Sequence, residues 1–280
     1  MRKNLYMFDM DGTLTPHRQP IEKIMVESLV DLIKSRENDN HIAIVSGSDL
    51  DYIFEQCLDL FNEIYSLSTL EKNKIRIFPC NGTKEYQIKD DDLEKASITL
   101  VSQKNMRDEI GIENYNLLLR LIMQIQLRSF STNGILGSMD LSGTFMQYRN
   151  SLLNWCPIGR DCTNEERERF IKLDSKNHIR EQLIYELEHC IYLSDLDNLV
   201  MSMGGQTSID IHPHGWDKTI ALTGYSLNYF NSITFMGDRC SRGQNDFTIY
   251  EAVKILDNGR SFEVSSPQET MKLIELRELS

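Results

Sequence analysis

Two aspartates two residues apart, Asp9 and Asp11, directly follow the apolar run 5–8 and precede Gly12. The apolar run predicts a buried strand, and ligands of open α/β sheets bind at the carboxyl ends of such strands. Gly12 allows the backbone to turn tightly there. The position suits an aspartate that attacks phosphorus, with a second carboxylate transferring a proton and Mg²⁺ offsetting their repulsion. A solvated aspartate-rich turn would show the same short motif, so other segments must decide.

Composition narrows the class of protein and the kind of partner. The 280 residues, 40% of them hydrophobic, favour two domains over one. A net charge of −12 argues against nucleic acid as the main partner, although a local basic cluster could still bind a small anion. We expect no membrane segment and a cytoplasmic location, since the first apolar run is too short for a signal peptide or a span. The six cysteines form no CxxC pair, which is typical of reduced thiols.

The amino-terminal third has the pattern of alternating strands and helices. Helical spacing of apolar residues over 21–35 is followed by an apolar run over 41–45, which predicts a βαβ opening. Helical spacing returns over 50–65, and residues 75–78 predict a third strand. The polar stretch 66–74 between them is predicted to be a surface loop without an assigned role.

The middle of the chain has a different pattern. Long amphipathic segments cover 115–128 and 165–187, and the alternation over 144–149 and 208–211 suits an antiparallel sheet with one wet face. The apolar run 233–236 then resumes the first pattern. We therefore predict a core formed by residues 1–88 and 217–280, with an inserted domain at 89–216.

Three further segments could add groups that handle a phosphate. Ser46, at the end of a predicted strand, can donate a hydrogen bond to a phosphoryl oxygen, although an isolated Ser-Gly-Ser-Asp is more often a helix N-cap. Lys218 offers a positive charge, although a single lysine is usually solvated. Asp238 and Asp246 follow the predicted strand 233–236 and supply two more acids, of which one can bind Mg²⁺.

This set, in this order, resembles the haloacid dehalogenase superfamily of phosphotransferases. The resemblance narrows to the eukaryotic-type phosphomannomutases and extends over nearly the whole chain. It implies an α/β fold with a doubly wound parallel-sheet core of haloacid dehalogenase type and an inserted α+β cap domain. The blocks that carry the narrower resemblance are residues 143–150, 157–160, 165–167, 204–210 and 215–218.

The resemblance also implies the roles of individual residues. Asp9 is the expected nucleophile and Asp11 the expected general acid and base, with Lys218 and Ser46 as further catalytic residues. Mg²⁺ is expected on the Asp9 carboxylate, the Asp11 carbonyl and Asp238, with Asp246 in support. Guanidinium groups can bind the non-reacting phosphate bidentately, and a carboxylate can accept hydrogen bonds from sugar hydroxyls. The expected substrate-binding residues are Arg18, Arg149, Arg160, Arg167, Ser208 and Asp210.

The implied reaction interconverts mannose 6-phosphate and mannose 1-phosphate through an aspartyl-phosphate and a hexose 1,6-bisphosphate, and it feeds GDP-mannose synthesis. The implied assembly is a homodimer through the cap. One alternative is a sugar phosphate phosphatase of the same superfamily, and another is a catalytically silent binding module. The choice between mannose and glucose phosphates, the balance of mutase and phosphatase activity, and the oligomeric state are left open.

Four positions depart from the family pattern. Ser142 stands where an arginine commonly precedes Gly-Thr-Phe, Gln147 replaces an acid, and Cys80 replaces a glutamate. Ala252 stands where relatives carry an aspartate near a second cation site, which puts a second bound ion in doubt. None of these changes removes a catalytic group.

Overall fold

The computed structural model describes residues 1–90, 96–131, 133–196 and 198–278. Its strands are β1 (Arg2–Phe8), β2 (Asn38–Val45), β3 (Ile75–Phe78), β4 (Lys84–Asp90), β5 (Ala96–Gln103), β6 (Met146–Tyr148), β7 (Leu153–Trp155), β8 (Leu199–Gly204), β9 (Ser208–Pro213), β10 (Ser232–Gly237) and β11 (Gly259–Glu263). Its α-helices are α1 (Lys23–Lys34), α2 (Leu50–Gln56), α3 (Leu58–Tyr65), α4 (Thr69–Lys72), α5 (Met106–Ile110), α6 (Ile112–Ser129), α7 (Asn164–Asn177), α8 (Ile179–Leu193), α9 (Ile220–Thr223), α10 (Phe247–Lys254) and α11 (Pro267–Glu278). Within the described ranges, no helix combines the length and the apolar character that crossing a membrane requires.

The chain divides into two compact units. Unit 1 comprises Met1–Gln103 and Gly215–Ser280, and unit 2 comprises Lys104–His214. The second unit thus begins later than the expected residue 89, because β4 pairs antiparallel with β3 and β5 pairs with β4. This hairpin extends the sheet of unit 1. The alternation of its residues indicates a hairpin without indicating which sheet it joins.

The sheet of unit 1 is mostly parallel, and its central strands are buried on both faces. Its seven strands have the order β11-β10-β1-β2-β3-β4-β5, and the first five of these strands are parallel. Residues of β1 alternate between two apolar clusters: Tyr6 and Phe8 pack with α1, α3 and α11, whereas Leu5 and Met7 pack with α9 and α10. Burial on both faces explains why β1 and β2 appear as continuous apolar runs in the sequence. The parallel strands therefore end at a common edge.

The sheet of unit 2 is antiparallel and has one apolar and one polar face. Its four strands have the order β6-β7-β9-β8. Ile209 and Ile211 of β9 are fully buried, and Trp155 of β7 donates its indole N–H to Gln126 of α6. Asp210, between the two isoleucines, pairs with Asn154 on the opposite face. The expected antiparallel sheet with one polar face is present.

Three sequence-based expectations of local structure need correction. The helix expected over 50–65 is two helices, α2 and α3, joined at Cys57, whose φ and ψ of −109° and 22° are not helical. The segment expected over 165–187 is likewise two helices, separated by His178 in a left-handed conformation with φ 54°. The expected loop 66–74 contains α4, which begins with a capping box between Ser68 and Glu71. Apolar periodicity continues across a one-residue break, so it did not reveal the helix breaks at Cys57 and His178.

Candidate active site

Asp9 lies where β1 ends and contacts a buried lysine. Its amide donates to the Met236 carbonyl at 2.9 Å, which extends the pairing of β1 with β10 by one residue. Its carboxylate accepts a hydrogen bond from Lys218 Nζ, which also donates to Asp246. Lys218 is completely buried, and Asp9 is only 6% exposed. Lys218, one of the expected catalytic residues, is therefore buried against Asp9 rather than solvated.

Three carboxylates of unit 1 meet at this point. Asp9, Asp238 and Asp246 each offer one oxygen, and these oxygens lie within 4.8 Å of one another. Oδ1 of Asp238 is buried and has no hydrogen-bond partner among the described residues, which is costly for a carboxylate unless a cation is bound. A Cβ at Gly12, where φ is 84°, would lie 2.6 Å from Asp238 Oδ2, so the close approach requires glycine. The three acids fit a hard divalent cation.

The charges in this cluster are strongly coupled. Burial raises the pKa of Asp9 to about 7, while the charge of Lys218 opposes this shift and the charge of Asp246 adds to it. Burial and the charge of Asp246 also raise the pKa of Asp238. Burial alone would lower the pKa of Lys218, but Asp9 and Asp246 outweigh it and raise that pKa. One buried ammonium group therefore compensates the acids only in part.

Asp11 is bound through one of its two carboxylate oxygens. Oδ1 accepts hydrogen bonds from the Arg18 amide and from the Tyr52 hydroxyl, both at 3.1 Å. Burial and the charge of Asp11 raise the pKa of Tyr52 to about 12. The phenol is therefore protonated near neutral pH and acts as the donor. Sequence analysis did not identify Tyr52, because its position in the apolar pattern of α2 is the same as that of any half-buried helical residue.

A cavity of about 600 Å³ lies over these groups. Ser46, directly after β2, lines it and accepts a hydrogen bond from the Ser48 amide at 3.1 Å. Asp49 caps α2 by accepting from the Tyr52 amide at 3.0 Å, so the helix-cap interpretation is correct for this residue. Most of the expected unit 1 site residues share this cavity, with Lys218 buried beside it. The expected residues that line it are Asp9, Asp11, Arg18, Ser46, Asp238 and Asp246.

A second, smaller pocket of about 260 Å³ lies in unit 2. It brings together the expected substrate-binding residues of the middle segment, which come from three separate parts of the chain. Asp210 accepts a hydrogen bond from Asn154 at 2.6 Å, and Gly204 allows the Asp210 carboxylate to approach the main chain closely. The expected residues that line the pocket are Arg149, Arg160, Arg167, Ser208 and Asp210.

The three arginines of this pocket are oriented by neutral partners. Each arginine is an exposed residue, and its guanidinium group donates to the side-chain amide oxygen of an asparagine or glutamine. In the part of the chain that the structure describes, none of the three forms an ion pair with a carboxylate. Their positive charges therefore remain available for an anion. The pairs are Arg149 with Gln147, Arg160 with Asn154, and Arg167 with Gln206.

Comparison with known proteins gives the family. A model of eukaryotic phosphomannomutase matches residues 29–278. The chain belongs to the eukaryotic phosphomannomutase family. It is 33% identical to the phosphomannomutase of Drosophila melanogaster over 280 residues, covering 98% of this chain and 96% of the relative. Identity to the phosphomannomutase of Encephalitozoon cuniculi is 32%, covering 98% and 93%, and identity to human phosphomannomutase 1 is 33%, covering 96% and 89%. The resemblance inferred from the sequence is confirmed, and the chain is an enzyme of this family.

Solved structures with a similar fold are named as phosphatases or nucleotidases. Aspergillus fumigatus trehalose-6-phosphate phosphatase matches with a TM-score of 0.56 and 15% identity, covering 100% of this chain and 94% of that one. Plasmodium falciparum IMP-nucleotidase bound to IMP matches with a TM-score of 0.59 and 13% identity, covering 99% and 68%. At these identities the likeness concerns the fold alone.

Unit 2 of this phosphomannomutase family member also contains a set of hydrogen bonds around Arg180 that sequence analysis missed. Arg180 Nε lies 2.7 Å from Asp174 Oδ2, and Arg180 Nη1 donates to the carbonyls of Gly205 and Ser208 at 3.0 and 3.1 Å. It thereby links the last part of α7 to the turn at Gly205 and to the first residue of β9, Ser208. Asn154 could have been found from the sequence, because it alternates with the apolar Leu153 and Trp155. Arg180 follows a helix break that the sequence did not reveal.

Proposed function

We propose that this enzyme interconverts mannose 6-phosphate and mannose 1-phosphate through an aspartyl-phosphate at Asp9 and a hexose 1,6-bisphosphate. In this proposal unit 1 is a haloacid dehalogenase-type core and unit 2 is its cap. The observation that carries the proposal is the combination of two sites in one chain. Unit 1 holds a carboxylate beside a buried lysine and two acids, and unit 2 holds a pocket with three arginines whose charge is unpaired.

The chemical step is an exchange of one phosphoryl group. A carboxylate oxygen of Asp9 attacks phosphorus, the new O–P bond forms, and the bond from phosphorus to the sugar oxygen breaks. Asp11 gives its proton to that oxygen. The sugar monophosphate then presents its other hydroxyl, Asp11 takes that proton, and the phosphoryl group returns to the sugar. Lys218 and a Ser46 hydrogen bond stabilise the charge on the phosphoryl oxygens.

Mg²⁺ is the cation that we propose for the acid cluster. Asp9, Asp238 and the Asp11 carbonyl would hold it, with Asp246 in support, and the bound ion would supply positive charge to the transferring phosphoryl group. The unpartnered Asp238 oxygen supports this assignment. We expect MgCl₂ to raise the melting temperature of the chelator-treated parent and to have a much smaller effect on Asp238→Asn. An equal rise in both proteins would contradict it.

Unit 2 is proposed to bind the phosphate that is not transferred. Arg149, Arg160 and Arg167 would donate to its oxygens, and Ser208 and Asp210 would bind sugar hydroxyls. Arg18, which lines the cavity of unit 1, is also proposed to bind substrate. Because the two phosphates exchange roles, the unit 2 pocket must accept either end of the sugar, and exclusion of water would prevent hydrolysis of the aspartyl-phosphate.

The test is a coupled assay on mannose 1-phosphate and glucose 1-phosphate, with and without a hexose 1,6-bisphosphate, following both isomer and free phosphate. We expect isomer to form from mannose 1-phosphate and the bisphosphate to activate the reaction. Asp9→Asn should lower turnover by about 10³-fold or more while the protein remains folded, because the covalent step is lost. An Asp9→Asn protein with most of the parent's activity would refute the nucleophile assignment.

The second candidate function is a sugar phosphate phosphatase with water as the acceptor. The observation that favours it is that Asp9, the buried Lys218 and the acid cluster all belong to unit 1, whereas the three arginines belong to unit 2. The same acids and lysine would serve, so the distinction lies in the acceptor rather than in the nucleophile. Steady release of phosphate from mannose 1-phosphate without any isomer would identify this activity.

We further propose a cytoplasmic homodimer that supplies mannose 1-phosphate for GDP-mannose synthesis, with neither nucleic acid nor a membrane as partner. Exposed apolar side chains on α6 and α8 support association through unit 2. Sedimentation should give the mass of a dimer, and the double variant Leu127→Glu, Tyr192→Glu should sediment as a monomer. A monomeric parent would contradict the assembly. The exposed side chains are Met123, Leu127, Tyr185, Tyr192 and Leu193.

A further inference from the structure

The two carboxylate oxygens of Asp11 have different surroundings. Oδ1 accepts two hydrogen bonds, from the Arg18 amide and the Tyr52 hydroxyl, at 3.1 Å each. Oδ2 accepts none from the residues that the structure describes. A carboxylate held by two donors on one oxygen cannot rotate freely, because rotation would break both bonds. The arrangement therefore distinguishes one oxygen of Asp11 from the other.

Tyr52 is itself held in place by a helix cap. The Asp49 side chain accepts from the Tyr52 amide at 3.0 Å, which fixes the first turn of α2. The same cavity is lined by Asp11, Arg18 and Tyr52. A neutral phenol donates one hydrogen bond, and here that bond goes to a carboxylate, which makes it stronger than a bond between neutral groups.

We propose that Tyr52 is a positioning residue for the acid and base of the reaction. Its hydroxyl, together with the Arg18 amide, holds Asp11 Oδ1 so that Oδ2 carries the exchanged proton. The proposal rests on the proposed function, in which Asp11 exchanges that proton with the sugar. The proton moves from Oδ2 to the sugar oxygen as its bond to phosphorus breaks, and a proton returns to Oδ2 from the other hydroxyl. Tyr52 keeps its own proton throughout.

The leaving group separates this role from a general structural one. A sugar oxygen is a poor leaving group and needs a proton as it departs, whereas acetate leaves acetyl phosphate without one. Misplacing Asp11 should therefore slow phosphorylation of Asp9 by a hexose 1,6-bisphosphate and leave phosphorylation by acetyl phosphate nearly unchanged. Damage to Asp9, Lys218 or the metal site would slow both reactions.

The experiment compares Tyr52→Phe, Asp11→Asn and Tyr65→Phe with the parent in the presence of Mg²⁺. Tyr65→Phe is the matched control, because it removes a phenol hydroxyl from α3 of the same unit without touching the cavity. The rate of phosphoenzyme formation is measured by rapid quench and intact mass, at saturating glucose 1,6-bisphosphate and then with acetyl phosphate. Melting temperatures report whether each variant folds.

We expect Tyr52→Phe to be slower than the parent by about tenfold with the bisphosphate, which is part of the factor that a positioned acid usually contributes, and to bind the bisphosphate with unchanged affinity. Its rate with acetyl phosphate, and both rates of Tyr65→Phe, should stay within about twofold of the parent. A Tyr52→Phe protein that matches Tyr65→Phe with the bisphosphate would overturn the inference. Equal slowing with both phosphate donors would also overturn it.

If acetyl phosphate does not react with the parent, steady-state turnover of mannose 1-phosphate tests the inference instead. The kcat of Tyr52→Phe should then fall while its KM stays unchanged, and an unchanged kcat would overturn the inference.

Asp11→Asn distinguishes failure of the inference from failure of the proposed function. It should show the same dependence on the leaving group as Tyr52→Phe, and a larger loss. If Asp11→Asn phosphorylates normally from the bisphosphate, Asp11 is not the acid and the proposed function is wrong. If Asp11→Asn is slow and Tyr52→Phe is not, the acid assignment stands and the positioning role of Tyr52 is refuted.

Discussion

The charged side chains of the two sites have different kinds of partner. In unit 1, Asp9, Asp246 and Lys218 are buried together, and the ammonium group of Lys218 compensates part of the negative charge of the two acids directly. In unit 2, three exposed arginines are oriented by the amide oxygens of Gln147, Asn154 and Gln206, which carry no charge. Buried charges need partners of opposite sign, whereas exposed cations need only a partner that fixes their direction.

The difference corresponds to the two proposed tasks. A nucleophile and a metal site need an arrangement that persists before the substrate arrives, and burial with a counter-charge provides it. A pocket that accepts either phosphate of the sugar needs positive charge that is free to bind and release an anion. An arginine already paired with a carboxylate would supply less of that charge. Stability should therefore depend on the charges of unit 1, and affinity on those of unit 2.

Lys218→Met should produce the largest change in stability. It leaves Asp9 and Asp246 buried without their shared counter-charge, at a cost of about 3–5 kcal/mol in the free energy of unfolding. Urea denaturation in the presence of a chelator measures this cost without a metal ion in the place of the ammonium group. Lys254→Met is the control, since Lys254 is exposed, pairs with the exposed Glu251 and lies over the Tyr250 ring, and it should change stability by less than about 0.5 kcal/mol. Equal stability of the two variants would show that the buried charges of unit 1 do not stabilise the fold more than an exposed ion pair does.

Arg167→Ala should weaken substrate binding and leave stability nearly unchanged, which is the reverse of the effect expected for Lys218→Met. Loss of a charge-assisted contact should weaken binding of mannose 6-phosphate by about 2 kcal/mol, while the free energy of unfolding changes little because the side chain is exposed. Arg169→Ala is the matched control on the same helix, because Arg169 pairs with Asp140 and the carbonyl of Ser138 rather than lining the pocket. Calorimetric titration of both variants measures the difference. If Arg169→Ala weakens binding as much as Arg167→Ala, the pocket is not the phosphate site.

The sequence revealed the site of unit 1 better than its surroundings. Asp9, Ser46 and Asp238 follow strands whose continuous apolar runs are easily recognised, and parallel strands bring their carboxyl ends to one edge. The residues of unit 2 came instead from family blocks, because no spacing rule joins Arg149 to Asp210. The structure places both sets in cavities, but their roles stay predictions.

Other features could not be predicted, because they depend on tertiary structure. The β4–β5 hairpin joins the sheet of unit 1 through hydrogen bonds that its own alternation does not encode. Helix breaks at Cys57 and His178 leave the apolar period intact. Tyr52 reaches Asp11 across 41 positions of sequence, so its contact depends on how α2 lies beside the loop after β1. Contacts of this kind cannot be predicted from the local sequence pattern.

Gln206→Glu should produce the smallest effect and tests the neutral partners directly. The new carboxylate would face the Arg167 guanidinium, from which Gln206 Oε1 now accepts hydrogen bonds at 3.0 and 3.2 Å, and would compete with the phosphate for it. We expect binding of mannose 6-phosphate to weaken by about 1 kcal/mol or less, as is usual for exposed charge pairs, and the loss to shrink at high salt. Gln182→Glu on α8 makes the same change in net charge away from the pocket and controls for it. If both variants bind equally well, the neutrality of the partner is irrelevant, and orientation alone explains why an amide lies beside this arginine.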